Sequence, residues 1–196
     1  MLNELNLGFI FLSAFLVNNI LLIRFLALCS FIGMSTDIKA STGMGLAVVF
    51  VTVVASSISW AVYNCLLVPF HLEYLRTVTF ILTIASFVQF EEIIIRKKSP
   101  VLYNAFGIYL PLITTNCAIL ASAFLGIDYR LNFIQNIVFS LGVSIGYCFA
   151  IVLFASMRDR LKTAPVPASF TGVPIAFIMT GLMSLAFLGF KGLFKL

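Results

Sequence analysis

Apolar residues run in long unbroken stretches along this chain, and polar residues gather in short links between them. The stretches cover about 7–32, 42–68, 77–95, 101–125, 131–157 and 171–194. Each is close to the roughly 20 residues that an α-helix needs to cross a bilayer. The runs are continuous rather than alternating, which favours helices over a membrane barrel. The expected fold is an all-α integral membrane protein with six transmembrane helices, forming a single transmembrane domain over 1–196. Composition sharpens this picture. The chain is 62% hydrophobic and 10% charged, with a mean hydropathy of +1.14, whereas a soluble domain carries about 25% charged residues. There is too little polar material to cover a globule in water. The first stretch opens with Asn3 and Glu4 and lacks a basic start and a small-residue cleavage site. It is expected to remain as the first helix rather than act as a signal peptide.

The formal net charge of +5 calls for no nucleic acid, because cytoplasmic loops of membrane proteins collect Lys and Arg. With six spans, one side receives Lys39, Arg96, Lys97, Lys98, Arg158, Arg160 and Lys162, and the other Arg76, Arg130, Lys191 and Lys195. Seven against four places the first side in the cytoplasm and both termini outside it.

A cut near Ser99-Pro100 leaves three spans in each half, about 1–99 and 100–196. Gly8-Phe9-Ile10 resembles Gly107-Ile108-Tyr109, and Thr36-Asp37-Ile38-Lys39 resembles Ile127-Asp128-Tyr129-Arg130. Three is odd, so the halves insert with opposite orientation as two inverted three-helix repeats. Sites in such proteins lie near the midplane on interrupted helices. The first and fourth spans carry the marks of interruption. The first holds Asn18-Asn19 and then Arg24; the fourth holds Pro111 and then Thr114-Thr115-Asn116. Proline removes a helical hydrogen bond, and short polar side chains re-satisfy the freed backbone. Polar groups at that depth are costly and face protein or a cavity. Ordinary helix–helix hydrogen bonding is the alternative for each one singly.

The chemistry-bearing residues are four cysteines and one histidine. His71 sits in a loop and cannot hold a haem from both sides. Cys65 and Cys148 have few polar neighbours in sequence and read as packing residues. Cys29 and Cys117 lie in the two interrupted spans beside small or hydroxyl residues. Two thiolates make half of a tetrahedral zinc site or a binuclear iron–sulfur site, and no CxxC pair completes one within the chain. On the residues alone, half of a shared site and two plain buried thiols both stand open. Gly142 and Gly146 form a GxxxG pair, which serves close helix packing either with a partner or within the chain.

These residues also resemble a known family, the membrane subunits that include the A subunits of Rnf (ion-translocating oxidoreductase) complexes and the D and E subunits of sodium-pumping NADH:quinone reductases. The matching strings are Leu16-Val17-Asn18-Asn19, Phe25-Leu26-Ala27-Leu28-Cys29, Ser99-Pro100-Val101-Leu102-Tyr103-Asn104, the run from Gly107 to Ala118, Arg158-Asp159-Arg160-Leu161, Val166-Pro167-Ala168, and the run from Thr180 to Phe187. They reach from the first span to the last. The short second-to-third link and Asn18-Asn19 favour the Rnf A branch. The resemblance implies a 2Fe-2S cluster in the membrane, ligated by Cys29 and Cys117 and shared with a homologous E subunit of opposite orientation. It implies a bacterial or archaeal inner membrane, with the B, C, D and G subunits as further partners. It implies electron transfer between ferredoxin and NAD coupled to Na+ or H+ movement. Nucleotide and flavin sites belong to other members of such complexes, and this chain has no GxGxxG loop.

Asn18, Asn19, Thr115 and Asn116 would then satisfy broken backbone and donate hydrogen bonds near sulfur, which tunes cluster potential. No catalytic residue is expected in this chain alone. The competing functional reading is one half of a metal-free secondary transporter or channel, with the midplane polar residues lining an ion path. Glu91 and Glu92 sit beside Arg96-Lys97-Lys98 at a span end and read as an interfacial cluster, so no coupling-ion site is legible.

Overall fold

Short polar links and long apolar runs give helices throughout. In the computed structural model every regular element among the described residues is helical. Those residues are 7–17, 19–35, 37–70, 73–98, 116–163, 167 and 170–193. Asn18, His71, Pro111, Thr114 and Thr115 lie outside them, as does the rest of 99–115.

Helix α1 (Leu7–Leu12) continues as a π-helical turn, Ser13–Val17. Two short helices follow, α2 (Ile20–Arg24) and α3 (Leu28–Met34). Helix α4 (Ile38–Val62) extends through a second π-helical turn, Tyr63–Leu67, to Phe70. Then come α5 (Arg76–Lys98), α6 (Cys117–Asp128), α7 (Phe133–Leu161) and α8 (Val173–Leu193). Two of these are long and apolar enough to cross a membrane unaided: Ile38–Phe70, mean hydropathy 2.1, and Phe133–Leu161, mean hydropathy 2.4. The other apolar helices are shorter. The first stretch is broken at Asn19, the fourth is described only from Asn116, and the last turns of α5 carry Glu91, Glu92, Arg96, Lys97 and Lys98.

Helices α4 and α7 make the most extensive contact, and α6 packs on α4 beside them. Small residues permit this approach. A Cβ on Gly126 of α6 would collide with Asn136 of α7, whose amide in turn bonds Ser56 of α4. A Cβ on Gly142 would lie 2.9 Å from the Phe11 carbonyl oxygen and the Ala14 methyl, and one on Gly146 would lie 2.9 Å from the Phe15 oxygen. The GxxxG pair therefore serves packing within the chain, seating α1 and its π-helical turn on α7.

The first stretch is interrupted twice, and each break has its own support. At the first, Asn19 caps α2: its side-chain oxygen accepts from Leu21 N at 3.2 Å, and its amide donates to the Gly146 carbonyl at 3.1 Å. At the second, Phe25 and Ala27 adopt left-handed backbone with φ of 52° and 65°. Left-handed conformation costs a non-glycine residue about 1–2 kcal/mol. Surrounding contacts hold it. Ser30 Oγ donates to the Ala27 carbonyl at 3.0 Å, and Ser184 Oγ of α8 donates to the Leu22 carbonyl at 2.7 Å. Freed backbone groups in an apolar interior must find such partners.

Candidate functional site

Helix α7 serves as a ruler through the protein. It has 29 residues from Phe133 to Leu161, so Tyr147 is the fifteenth and stands at its midpoint. Three segments converge there. Asn19 bonds Gly146, Ser30 Oγ lies 2.8 Å from the Tyr147 hydroxyl, and Asn116 is a further polar neighbour of that hydroxyl. Asn19 and Ser30 are 11 residues apart, a length that a straight helix would convert into about 16 Å of rise. Both nevertheless meet the same turn of α7. The chain turns at mid-depth before α3 resumes its course.

From this level α3 and α6 leave in opposite directions. Phe31 stacks on Phe154 at 4.3 Å, and Arg158 donates to the Ile32 carbonyl at 2.8 Å and to Ser35 Oγ at 3.0 Å. So α3 runs parallel to α7, from its middle to its C-terminal end. Gly126 meets Asn136, and Tyr129 meets the Phe139 ring at 5.8 Å. So α6 runs antiparallel, from the middle to the N-terminal end. Two helix starts thus face one another near the centre.

Each of these starts carries one of the two candidate thiols. Cys117 is the first residue of α6, directly after its cap Asn116, and Cys29 is the second residue of α3. Both cysteines are exposed on the isolated chain, and none of the four cysteines is in a disulfide. Arg24 and Phe25, at the end of α2, are exposed too, Phe25 to 47%. Asn116 is buried. Its side-chain oxygen accepts from Ala118 N at 3.0 Å, while its amide nitrogen makes no well-formed hydrogen bond. Among the described residues no three His, Cys, Asp or Glu side chains converge.

The sequence-derived candidates therefore divide. Cys29, Cys117, Asn19 and Asn116 come together around the midpoint of α7. Asn19 is engaged with backbone on both sides, so its work is to repair the break. Asn116 caps in the same manner but keeps a donor to spare. Asn18 and Thr115 lie outside the described residues. Cys148 is half-buried, and a Cβ on Gly45 would lie 2.5 Å from its sulfur, which fits a packing role. Cys65 does not fit that role: it is exposed on the π-helical end of α4. Tyr147 is a site residue that the sequence pattern does not single out. Its signal is a hydroxyl at the centre of an apolar span.

Arginines mark the two ends of this core. Arg158 closes the α3–α4 turn at one end. At the other, Arg76 pairs with Asp128 at 2.7 Å and lies 4.7 Å from the centre of the Phe124 ring. A cavity of about 580 Å³ opens there, lined in part by Trp60, Tyr63, Arg76 and Arg130.

Fold and site define a helical membrane protein in which the starts of two helices bring a pair of thiols to the middle of α7. The chain belongs to the Rnf-Nqr subunit family of membrane proteins, whose family model matches residues 7–194. It is similar to the A subunit of the ion-translocating oxidoreductase complex of Syntrophotalea carbinolica, 53% identical over 188 residues, which cover 96% of this chain and 97% of that relative. It is 51% identical over 184 residues to the protein of the same name from Aeromonas salmonicida, covering 94% and 95% of the two chains. It is 49% identical over 187 residues to the A subunit of the proton-translocating ferredoxin:NAD(+) oxidoreductase complex of Clostridium ljungdahlii, covering 95% and 97%. These relatives are components of redox enzyme complexes.

Proposed function

We propose that this chain is the A subunit of an ion-translocating ferredoxin:NAD oxidoreductase of a bacterial or archaeal inner membrane. In this reading it spans the bilayer six times as two inverted halves. Cys29 and Cys117 hold half of a 2Fe-2S cluster shared with a homologous E subunit, and the B, C, D and G subunits complete the complex. When bound, such a cluster accepts and releases one electron. It would relay electrons between cofactors on the two membrane faces, coupled to Na+ or H+ transport.

The observation that carries this reading is the meeting of two cysteine-bearing helix starts, pointing in opposite directions, at the midpoint of α7. Opposed half-helices at the midplane are what inverted repeats produce. The residues also fit the group. Two thiols are present, and a buried Asn116 donor beside Cys117 lacks a protein acceptor. Cluster sulfur is such an acceptor. A cluster of this type takes four protein ligands, so a second chain supplies the other two. Exposed Arg24 points the same way. A guanidinium within the first stretch is expensive against lipid, and its 3.5 Å contact to the Tyr129 hydroxyl is long. Protein cover over Arg24 removes that cost.

The test is to delete the chain and assay membrane vesicles. Reduced ferredoxin should no longer drive NAD reduction or ion uptake, and re-expression should restore both. Vesicles that keep ferredoxin-driven NAD reduction without the chain would refute the assignment. The same geometry would also suit a metal-free transporter half, and iron content separates the two readings.

Topology gives a second test. Arg158 and Lys39 belong to one end of the structure, and Arg76 and Arg130 to the other. This matches the two groups of the charge count. Helix α1 packs on the first half of α7, which places Leu7 at the Arg76 end. A reporter fused after Leu196 is expected to be active outside the cytoplasm. Activity of a cytoplasm-only reporter at that position would reverse the orientation.

A further inference from the structure

Among the described residues Tyr147 is the largest side chain that is fully buried, at 1% exposure, and it belongs to the apolar core. Such a group needs partners. Its protons can be assigned by counting. Ser30 has one hydroxyl hydrogen, and Ser30 Oγ is 3.0 Å from the Ala27 carbonyl, which can only accept. With that bond made, the 2.8 Å contact between Ser30 and Tyr147 has tyrosine as the donor. The tyrosine oxygen keeps lone pairs. Asn116, with its amide nitrogen unpartnered, is its neighbour.

The ends of this short network are informative. Ala27 is the left-handed residue that sets the start of α3, two residues before Cys29. Asn116 is the cap that sets the start of α6, one residue before Cys117. A single hydroxyl on a third helix is therefore linked through Ser30 to the turn that presents Cys29, and it stands beside the cap that presents Cys117.

We propose that Tyr147 is the positioning residue of this site: through its link to Ser30 and its place beside Asn116 it sets the spacing of the Cys29 and Cys117 thiols and leaves the Asn116 amide available to bound sulfur. The inference rests on the cluster reading above. It follows that the tyrosine hydroxyl, which ligates nothing, affects the electronic properties of the site. Hydrogen bonds to cluster sulfur stabilise the reduced, more negative form.

The test uses the intact complex carrying Tyr147→Phe, with iron content, a redox titration followed by low-temperature electron paramagnetic resonance, and the line shape as readouts. Iron per complex should stay at the parent value, the midpoint potential should become more negative, and the signal should broaden. Ser30→Ala should shift the midpoint in the same direction. The double variant should shift it no further than the larger single one, because both act through one network. If Tyr147→Phe does not assemble, Ser30→Ala, which leaves the ring in place, decides by the same readouts. A parent-like midpoint and line shape in an assembled variant would overturn the positioning role while leaving the cluster reading intact. A parent complex with no such signal would overturn both.

Discussion

Cys29→Ser or Cys117→Ser is expected to abolish the intramembrane iron signal, whereas Cys65→Ser and Cys148→Ser keep it. Iron in these clusters is held by thiolate sulfur, and a serine oxygen is harder and shorter in reach. The four positions are separated by structure as well as chemistry. Cys29 and Cys117 begin the two helices that diverge from the midpoint of α7. Cys148 is on α7 itself, packed on Gly45, and Cys65 is on the far turn of α4. Loss of either ligand should also weaken the hold on the partner, since each thiolate is part of the joint. Iron content and electron paramagnetic resonance of the reduced complex check this. A normal signal in Cys117→Ser, or its loss in Cys148→Ser, would overturn the ligand assignment.

Gly146→Leu is expected to remove most of the folded protein from the membrane. Even one added carbon would lie 2.9 Å from the Phe15 carbonyl and 3.4 Å from the Asn19 amide. The first is backbone and cannot swing aside. Overpacking of this kind costs about 1–3 kcal/mol. Displacing α1 also strands the Asn19 amide, and an unsatisfied buried donor costs about 1–3 kcal/mol more. Those losses fall on the segment that delivers Cys29. Gly189→Leu is the comparison, because Gly189 is exposed and nothing lies within 4 Å of a Cβ there. The amount of assembled complex on a native gel distinguishes the two, and equal amounts would show that the α1–α7 seam is not rigid.

Much of this architecture is legible in the chain. Apolar stretches mark where helices run, and the polar pair Asn18-Asn19 marks the first break, because an amide is costly at that depth unless it repairs backbone. The second break is not legible. Phe25-Leu26-Ala27-Leu28 contains no glycine or proline, and its left-handed turn is held by Ser30 and Ser184 from outside the segment. Tertiary contacts override local preference there. The register of the two halves is also hidden. Pairing the aspartate loops sets Cys29 opposite Leu120, and pairing the glycines sets Asn18 opposite Cys117. The caps Asn19 and Asn116 do the same work, each accepting from the amide two residues on, and they set Ile20 opposite Cys117. Short apolar strings match by chance more easily than capping geometry does. Tyr147 is hidden because a tyrosine in a span reads as bulk, and only the fold shows that its hydroxyl meets Ser30 beside the Asn116 cap.

The central claim is that this chain carries two of the four ligands of an intramembrane cluster. Iron analysis with a visible spectrum, made on this protein purified together with the homologous chain proposed to share the site, tests it most directly. Two irons per pair are expected, with an iron–sulfur absorbance that is absent from the same pair carrying Cys29→Ser and Cys117→Ser. A colourless, iron-free pair that is otherwise intact would contradict the claim and leave the metal-free transporter as the reading that survives.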